Sequence, residues 1–108
     1  MRSKIINVTV DRPLGSKHPD YDMIYPVNYG YVEGIFAGDG EEQDVYILGI
    51  DEPVEKFTGK LIAIVHRLND NEDKWVAAPS DMNFSKEEIE KSIHFQEQYF
   101  ESVVDVLN

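Results

Sequence analysis

The sequence contains no cysteine, which excludes disulfides and thiolate metal sites alike. Long apolar runs are missing too. No stretch reaches membrane-spanning length, and residues 1–10 hold neither a signal-peptide core nor a small-residue cleavage site, so the expected location is cytoplasmic. Basic residues are scarce: ten Lys and Arg stand against 21 Asp and Glu, a formal net charge of −11. A surface of that sign repels nucleic acid and anionic lipid, so neither is expected as a partner. A polyanionic small molecule would be repelled as well, unless cations bridge it to the carboxylates. Repeats, low-complexity tracts and linkers are also absent from the 108 residues, a length that suits one domain, 1–108. Aromatic rings are plentiful, with six Tyr and five Phe, a composition that disordered chains lack.

The hydrophobic pattern changes period near residue 84. Before it, strands and turns alternate. Lys4 to Val10 places Ile6, Val8 and Val10 on one face. The stretch from Asp11 to Pro19 holds two prolines and a glycine and reads as a loop. Tyr29 to Phe36 alternates again, and its Gly30 and Gly34 share a face, which signals a bend or a close backbone approach. Asp44 to Ile50, Lys60 to Arg67 (apolar enough to be covered on both sides) and Lys74 to Ala78 complete five strands. With no helix between them, they point to a small antiparallel barrel or sandwich. After residue 84, Ser85 and Glu88 form a capping box, and Phe84 and Ile89 are placed for a hydrophobic staple. Ile89, Ile93, Phe100, Val103, Val104 and Leu107 recur at helical spacing, which predicts one long helix over about 85–107 against a β domain of about 4–79.

Two motifs carry chemistry. Asp39-Gly40-Glu41-Glu42-Gln43-Asp44 puts four carboxylates into six residues at a loop-to-strand junction, a set of hard oxygen donors suited to Mg²⁺ or Mn²⁺. It does not fit an EF-hand, because Gly40 falls at loop position two rather than six and position twelve is Ile50. On its own it reads better as a solvated acidic turn, because charge runs are usually just solvated. Tyr25-Pro26-Val27-Asn28-Tyr29-Gly30-Tyr31 aligns Tyr29 and Tyr31 on one strand face, where hydroxyls can donate to phosphate oxygens. Alone, it is simply a Tyr-rich barrel strand.

Taken together, and separated by a seven-residue spacer, the two motifs resemble the core of the soluble (family I) inorganic pyrophosphatases. That family has a Tyr-Pro-x-Asn-Tyr-Gly-Tyr element followed at this separation by Asp-Gly-Asp-x-x-Asp. The resemblance extends to Asp11-Arg12, to Lys74-Trp75-Val76-Ala77-Ala78-Pro79 and to His94-Phe95-Gln96-Glu97-Gln98-Tyr99. It implies a mainly β (α+β) fold, a small five-stranded antiparallel, OB-like barrel flanked by a C-terminal helix. It also implies Mg²⁺-dependent hydrolysis of pyrophosphate to two phosphates by a metal-activated water. By position, Asp39 and Asp44 would be metal ligands. Glu41 would stand where the family orients or deprotonates the attacking water, with Asp44 sharing the catalytic group. Arg12, Tyr29, Lys74 and Tyr99 would hold phosphate oxygens. Asp70, Glu72 and Asp73 lie near two further metal-binding Asp residues of the family, in a shortened loop that does not assign them one to one.

The sequence also departs from that pattern. Glu41 replaces an Asp, Phe100 stands where the family has a Lys, and a family Glu and Lys have no counterpart before Arg12. A charge-assisted hydrogen bond contributes roughly 1.5–3 kcal/mol, so the missing lysines leave two alternatives open. One is a metal- and phosphate-binding protein with weak or no turnover. The other is a hydrolase of a different phosphoanhydride or phosphoester. His66 and His94 read as structural, because no His pair has ligand spacing. His18 lies in a loop without an evident partner, and Trp75 reads as core. A small barrel with an exposed helix face is a candidate for homo-oligomer formation.

Overall fold

Alternation in the first strand holds as expected: in β1 (Ile5–Arg12), Ile6 and Val8 are buried while Ile5 and Asn7 are exposed. β1 belongs to a sheet with β2 (Asn28–Phe36), β3 (Glu42–Ile47), β4 (Lys56–Arg67) and β5 (Asp73–Ala78). The computed structural model describes residues 4–38, 40–69 and 72–107. The strands follow one another in the order β1-β2-β3-β5-β4, and a β1–β4 pairing closes them into a barrel. No helix among the described residues is long and apolar enough to cross a membrane.

The barrel is mixed rather than wholly antiparallel, because β3 and β5 run parallel, with Val45 opposite Trp75 and Ile47 opposite Ala77. Parallel neighbours need a crossover. Here β4 makes it, running on to pair with both β5 and β1. Alternation marks which residues face inward but carries no strand direction, so this feature was not readable from the pattern.

Closure divides the apolar residues into two clusters. Ile6, Val8, Val32, Val45, Ile47, Leu61 and Ala77 fill the barrel. Tyr46, Leu48, Ile62, Val65, Val76, Ala78, Ile89 and Ile93 pack between the barrel wall and the helix. β4 serves both: a register shift between Leu61 and Ala63 moves Ala63 and Val65 to the outer cluster although they share Leu61's parity. This is why Leu61, Ile62 and Ala63 are buried in succession.

The helix α1 (Lys86–Glu97) begins with the expected capping box: Ser85 Oγ accepts from Glu88 N at 3.1 Å, and Glu88 Oε1 accepts from Ser85 N at 2.9 Å. It ends at Glu97, ten residues short of the expected boundary near 107. Residues 102–106 instead form β6 (Ser102–Val106), antiparallel to Ala63–Arg67 of β4. β1 covers only Lys56–Lys60 of that edge, which leaves its far half with unpaired backbone groups. Ser102, Val104 and Val106 turn inward while Val103 and Asp105 are exposed, and three valines favour the extended form. The helical spacing of Phe100, Val103, Val104 and Leu107 was coincidental.

Gly30 makes the close approach anticipated for this strand, since a Cβ there would lie 2.0 Å from the Thr9 carbonyl oxygen. Gly34 supplies the bend, at φ +82°. Gly30→Ala is therefore expected to destabilise the protein by about 1–3 kcal/mol through overpacking between β1 and β2. Gly34→Ala, which meets no atom within 4 Å, introduces only backbone strain. Urea unfolding of the two variants checks the order. Equal stability of Gly30→Ala and wild type would refute the close approach.

Candidate functional site

An open cleft of about 470 Å³ lies where α1 and the turn after it meet the outer wall of the barrel. The pairing of β2 with β3 sets Tyr31 opposite Asp44 and Tyr29 opposite Tyr46. Directly opposed residues share a face, and the Tyr29 and Tyr46 rings pack at 5.0 Å. The parallel register of β5 brings Lys74 alongside Asp44. Asn28 serves the loops: its Oδ1 accepts from Leu14 N at 2.9 Å and Val54 N at 3.2 Å, and its Nδ2 donates to Glu52 O.

Lys74 is the centre of the cleft floor. Its side chain is 5% exposed, and Nζ donates to Asp44 Oδ2 at 2.5 Å and to a Glu72 carboxylate oxygen. The ammonium group lies 5.9 Å from the Tyr29 ring centroid. Two carboxylates thus converge on one cation, a group that carries one net negative charge. Arg12 lines the same cleft and donates to the Asp11 carbonyl at 3.1 Å.

Behind the floor is a buried polar network that the sequence did not reveal. Arg67, at the end of β4, grips Glu97, the last residue of α1, through Nε–Oε1 at 3.1 Å and a terminal nitrogen to Oε2 at 2.6 Å. Their side chains are only 4% and 5% exposed, and the Phe100 ring covers the guanidinium at 3.7 Å. Tyr46 Oη donates to Glu97 Oε2 at 2.5 Å, Gln96 Nε2 donates to Tyr46 Oη at 2.7 Å, and Tyr25 Oη donates to Gln96 Oε1 at 3.4 Å. The available signal was a carboxylate on the apolar face of the helix, Glu97 lying four residues after Ile93. Such a group needs a buried partner.

Of the residues proposed from sequence, Arg12, Tyr29, Asp44, Lys74 and Tyr99 line the cleft, and Glu72 reaches it through Lys74. Asp73 is turned to the other face of β5, where His66 Nδ1 lies 3.2 Å from its Oδ2 and His66 Nε2 lies 3.8 Å from Asp105. Glu41 is exposed and is not among the cleft-lining residues described. Asp39 and Asp70 lie outside the described residues. Among the described residues no group of three His, Asp or Glu is gathered for a metal. Asp44 and Glu72 are the pair whose oxygens already surround a cation, and their hard donor chemistry suits Mg²⁺. His18, without an evident partner in the sequence, stacks on Tyr25 with centroids 6.0 Å apart.

Burial disfavours the phenolate forms of Tyr29 and Tyr46, and the nearby Asp44 and Glu97 charges add to it, so both pKa values lie well above the usual 10.0. Both are neutral hydrogen-bond donors at physiological pH. Burial likewise opposes the charge on Arg67, but its hydrogen bonds and attraction to Glu97 outweigh that and raise its pKa. A raised folded-state phenol pKa contributes stability that is complete below the unfolded value and is lost as pH rises through the folded one. Stability is therefore expected to fall above about pH 10, and Tyr46→Phe, less stable at neutral pH, should show a shallower decline. Urea unfolding between pH 8 and 11 checks this. An unchanged slope in Tyr46→Phe would refute it.

No protein-family model matches the chain, and no curated protein matches it either. Solved structures do. The inorganic pyrophosphatase of Ehrlichia chaffeensis superposes with a TM-score of 0.69 at 22% identity, over 95% of this chain and 83% of that one. The inorganic pyrophosphatase of Coxiella burnetii gives 0.69 at 20% identity, over 98% and 85%. That of Neisseria gonorrhoeae gives 0.65 at 21%, over 96% and 80%. At these identities the likeness is one of fold: a closed, mainly β barrel with one helix, as in inorganic pyrophosphatases.

Proposed function

We propose that the protein is a divalent-metal-dependent phosphohydrolase that splits inorganic pyrophosphate into two phosphates. The observation that carries this reading is the meeting of Asp44 and Glu72 on a single cation position, beside Tyr29 and Arg12, in one cleft. The shared fold supports it. In this reading Asp44 and Glu72, joined by Asp39, hold Mg²⁺. Bound there, the ion would neutralise the carboxylates and phosphoryl oxygens and lower the pKa of a coordinated water.

The remaining roles belong to the chain's own groups. The Tyr29 hydroxyl, neutral for the reason given above, donates to a phosphoryl oxygen, and Arg12 and Tyr99 hold others from the mouth of the cleft. With a divalent cation held by Asp44 and Glu72, Lys74 would be released from these carboxylates and could donate to the phosphate. By the resemblance, Glu41 would orient the attacking water and take its proton as the water oxygen bonds to phosphorus and the bridging P–O bond breaks, although its side chain is exposed and outside the cleft lining.

A second reading is a metal- and phosphate-binding protein with little turnover. It is favoured by Phe100, which places a ring over Arg67 where the resemblance expects a lysine.

Phosphate release from pyrophosphate in Mg²⁺ separates the two. Release above an enzyme-free control, reduced on the order of a hundredfold in Asp44→Asn, is expected from loss of a charged partner of the transition state. Mg²⁺-dependent pyrophosphate binding in calorimetry without release would establish the second reading. Neither binding nor release would refute both.

A further inference from the structure

The cleft is far larger than pyrophosphate needs, and its mouth has a different chemistry from its floor. Lys74 and Tyr29 are buried on the floor, whereas Arg12, His18, Tyr21 and Tyr99 are more exposed and form the mouth. Tyr21 and Tyr99 are 65% and 67% exposed, so most of each ring faces water. They come from distant segments, the loop before β2 and the turn after α1, yet their rings are nearly parallel, 15° apart, with centroids 6.3 Å from each other. His18 packs against Tyr21 at 4.9 Å and against Tyr25 at 6.0 Å, which braces the Tyr21 ring.

Two such nearly parallel, solvent-exposed rings offer flat faces on which a third flat ring can stack. A floor that takes phosphoryl groups, continuous with a rim that takes a flat ring, defines a ligand with both parts. We propose that the cleft binds an organic diphosphate carrying a heteroaromatic ring, a nucleoside diphosphate being the simplest, with the ring stacked against the Tyr21–Tyr99 pair. The proposal rests on the phosphate-binding reading of the floor and adds the class of group attached to the phosphates.

The test compares three ligands by calorimetry in Mg²⁺: ADP, methyl diphosphate, which has the same anion without a ring, and inorganic pyrophosphate. Stacking is expected to make ADP bind roughly five- to a hundredfold tighter than methyl diphosphate. Tyr21→Ala should abolish that difference while leaving binding of methyl diphosphate and pyrophosphate unchanged, and Tyr21→Trp should preserve it. Tyr21 is exposed, so the substitution leaves the fold intact, which circular dichroism checks. Equal affinities for ADP and methyl diphosphate in the wild type, or a Tyr21→Ala loss shared by both, would overturn the ring site alone if pyrophosphate is still bound. Failure of all three ligands to bind would overturn the reading of the floor as well.

Discussion

Removing water from an arginine and a glutamate is unfavourable unless each satisfies the other, and the joint between barrel and helix in this protein is built on that requirement. Arg67 ends β4 and Glu97 ends α1, and their two parallel hydrogen bonds fix both the distance and the rotation between those elements. A buried pair of this kind adds little net stability over apolar packing, but deleting one partner strands the other at a cost of ~3–5 kcal/mol. Ile89 and Ile93 supply the apolar contact of the helix, whereas Arg67 and Glu97 make its orientation specific. The hydroxyl of Tyr46 bonds to Glu97, and Gln96 bonds in turn to Tyr46 and Tyr25. Tyr25, which lines the cleft, is therefore tied to the same joint.

Electrostatics divides the cleft into two depths. In a chain with a net charge of −11, two of the inward-facing cations are already matched by the protein's own carboxylates, Lys74 by Asp44 and Glu72 and Arg67 by Glu97. Arg12 stands nearer the surface. In the reading proposed above, an anion approaching this site meets little uncompensated positive charge, and its affinity would depend on which cation sits between Asp44 and Glu72. An ammonium group there leaves the trio negative, whereas a divalent ion would leave it neutral or positive once Lys74 is released. In the proposed reading, the site would respond to a divalent ion before it responds to phosphate.

Features set by a few neighbouring residues were legible in the sequence. The capping box at Ser85 and Glu88 works within one turn of backbone, and Gly30 announces its close contact because no other residue lacks a Cβ. The seven-residue spacing between the tyrosine and acidic motifs reflects the β2–β3 hairpin, whose register sets Tyr31 against Asp44. Features set across the fold were not legible. The helix stops at Glu97 because β4 offers a free edge some thirty residues away in sequence, and nothing local to Ser102–Val106 states that this edge exists. Glu72 and Asp73 look interchangeable until the phase of β5 is known; Lys74 faces the cleft, Glu72 bonds to it, and Asp73 turns to His66. The Arg67–Glu97 joint needs both ends of this long-range pairing, so it was hidden for the same reason.

Phe100 connects the buried joint with the open cleft. Where the resemblance expects a lysine aimed at phosphate, the chain has a ring lying 3.7 Å over the Arg67 guanidinium. Such stacking shields the buried ion pair from water, a contact to which a flexible ammonium group would add only repulsion. The exchange removes one cation from the phosphate end and adds an aromatic surface beside Tyr99, which itself faces Tyr21. Structural and recognition consequences therefore have one origin. The residue that covers the helix joint also lines the cleft and adds aromatic surface near its rim.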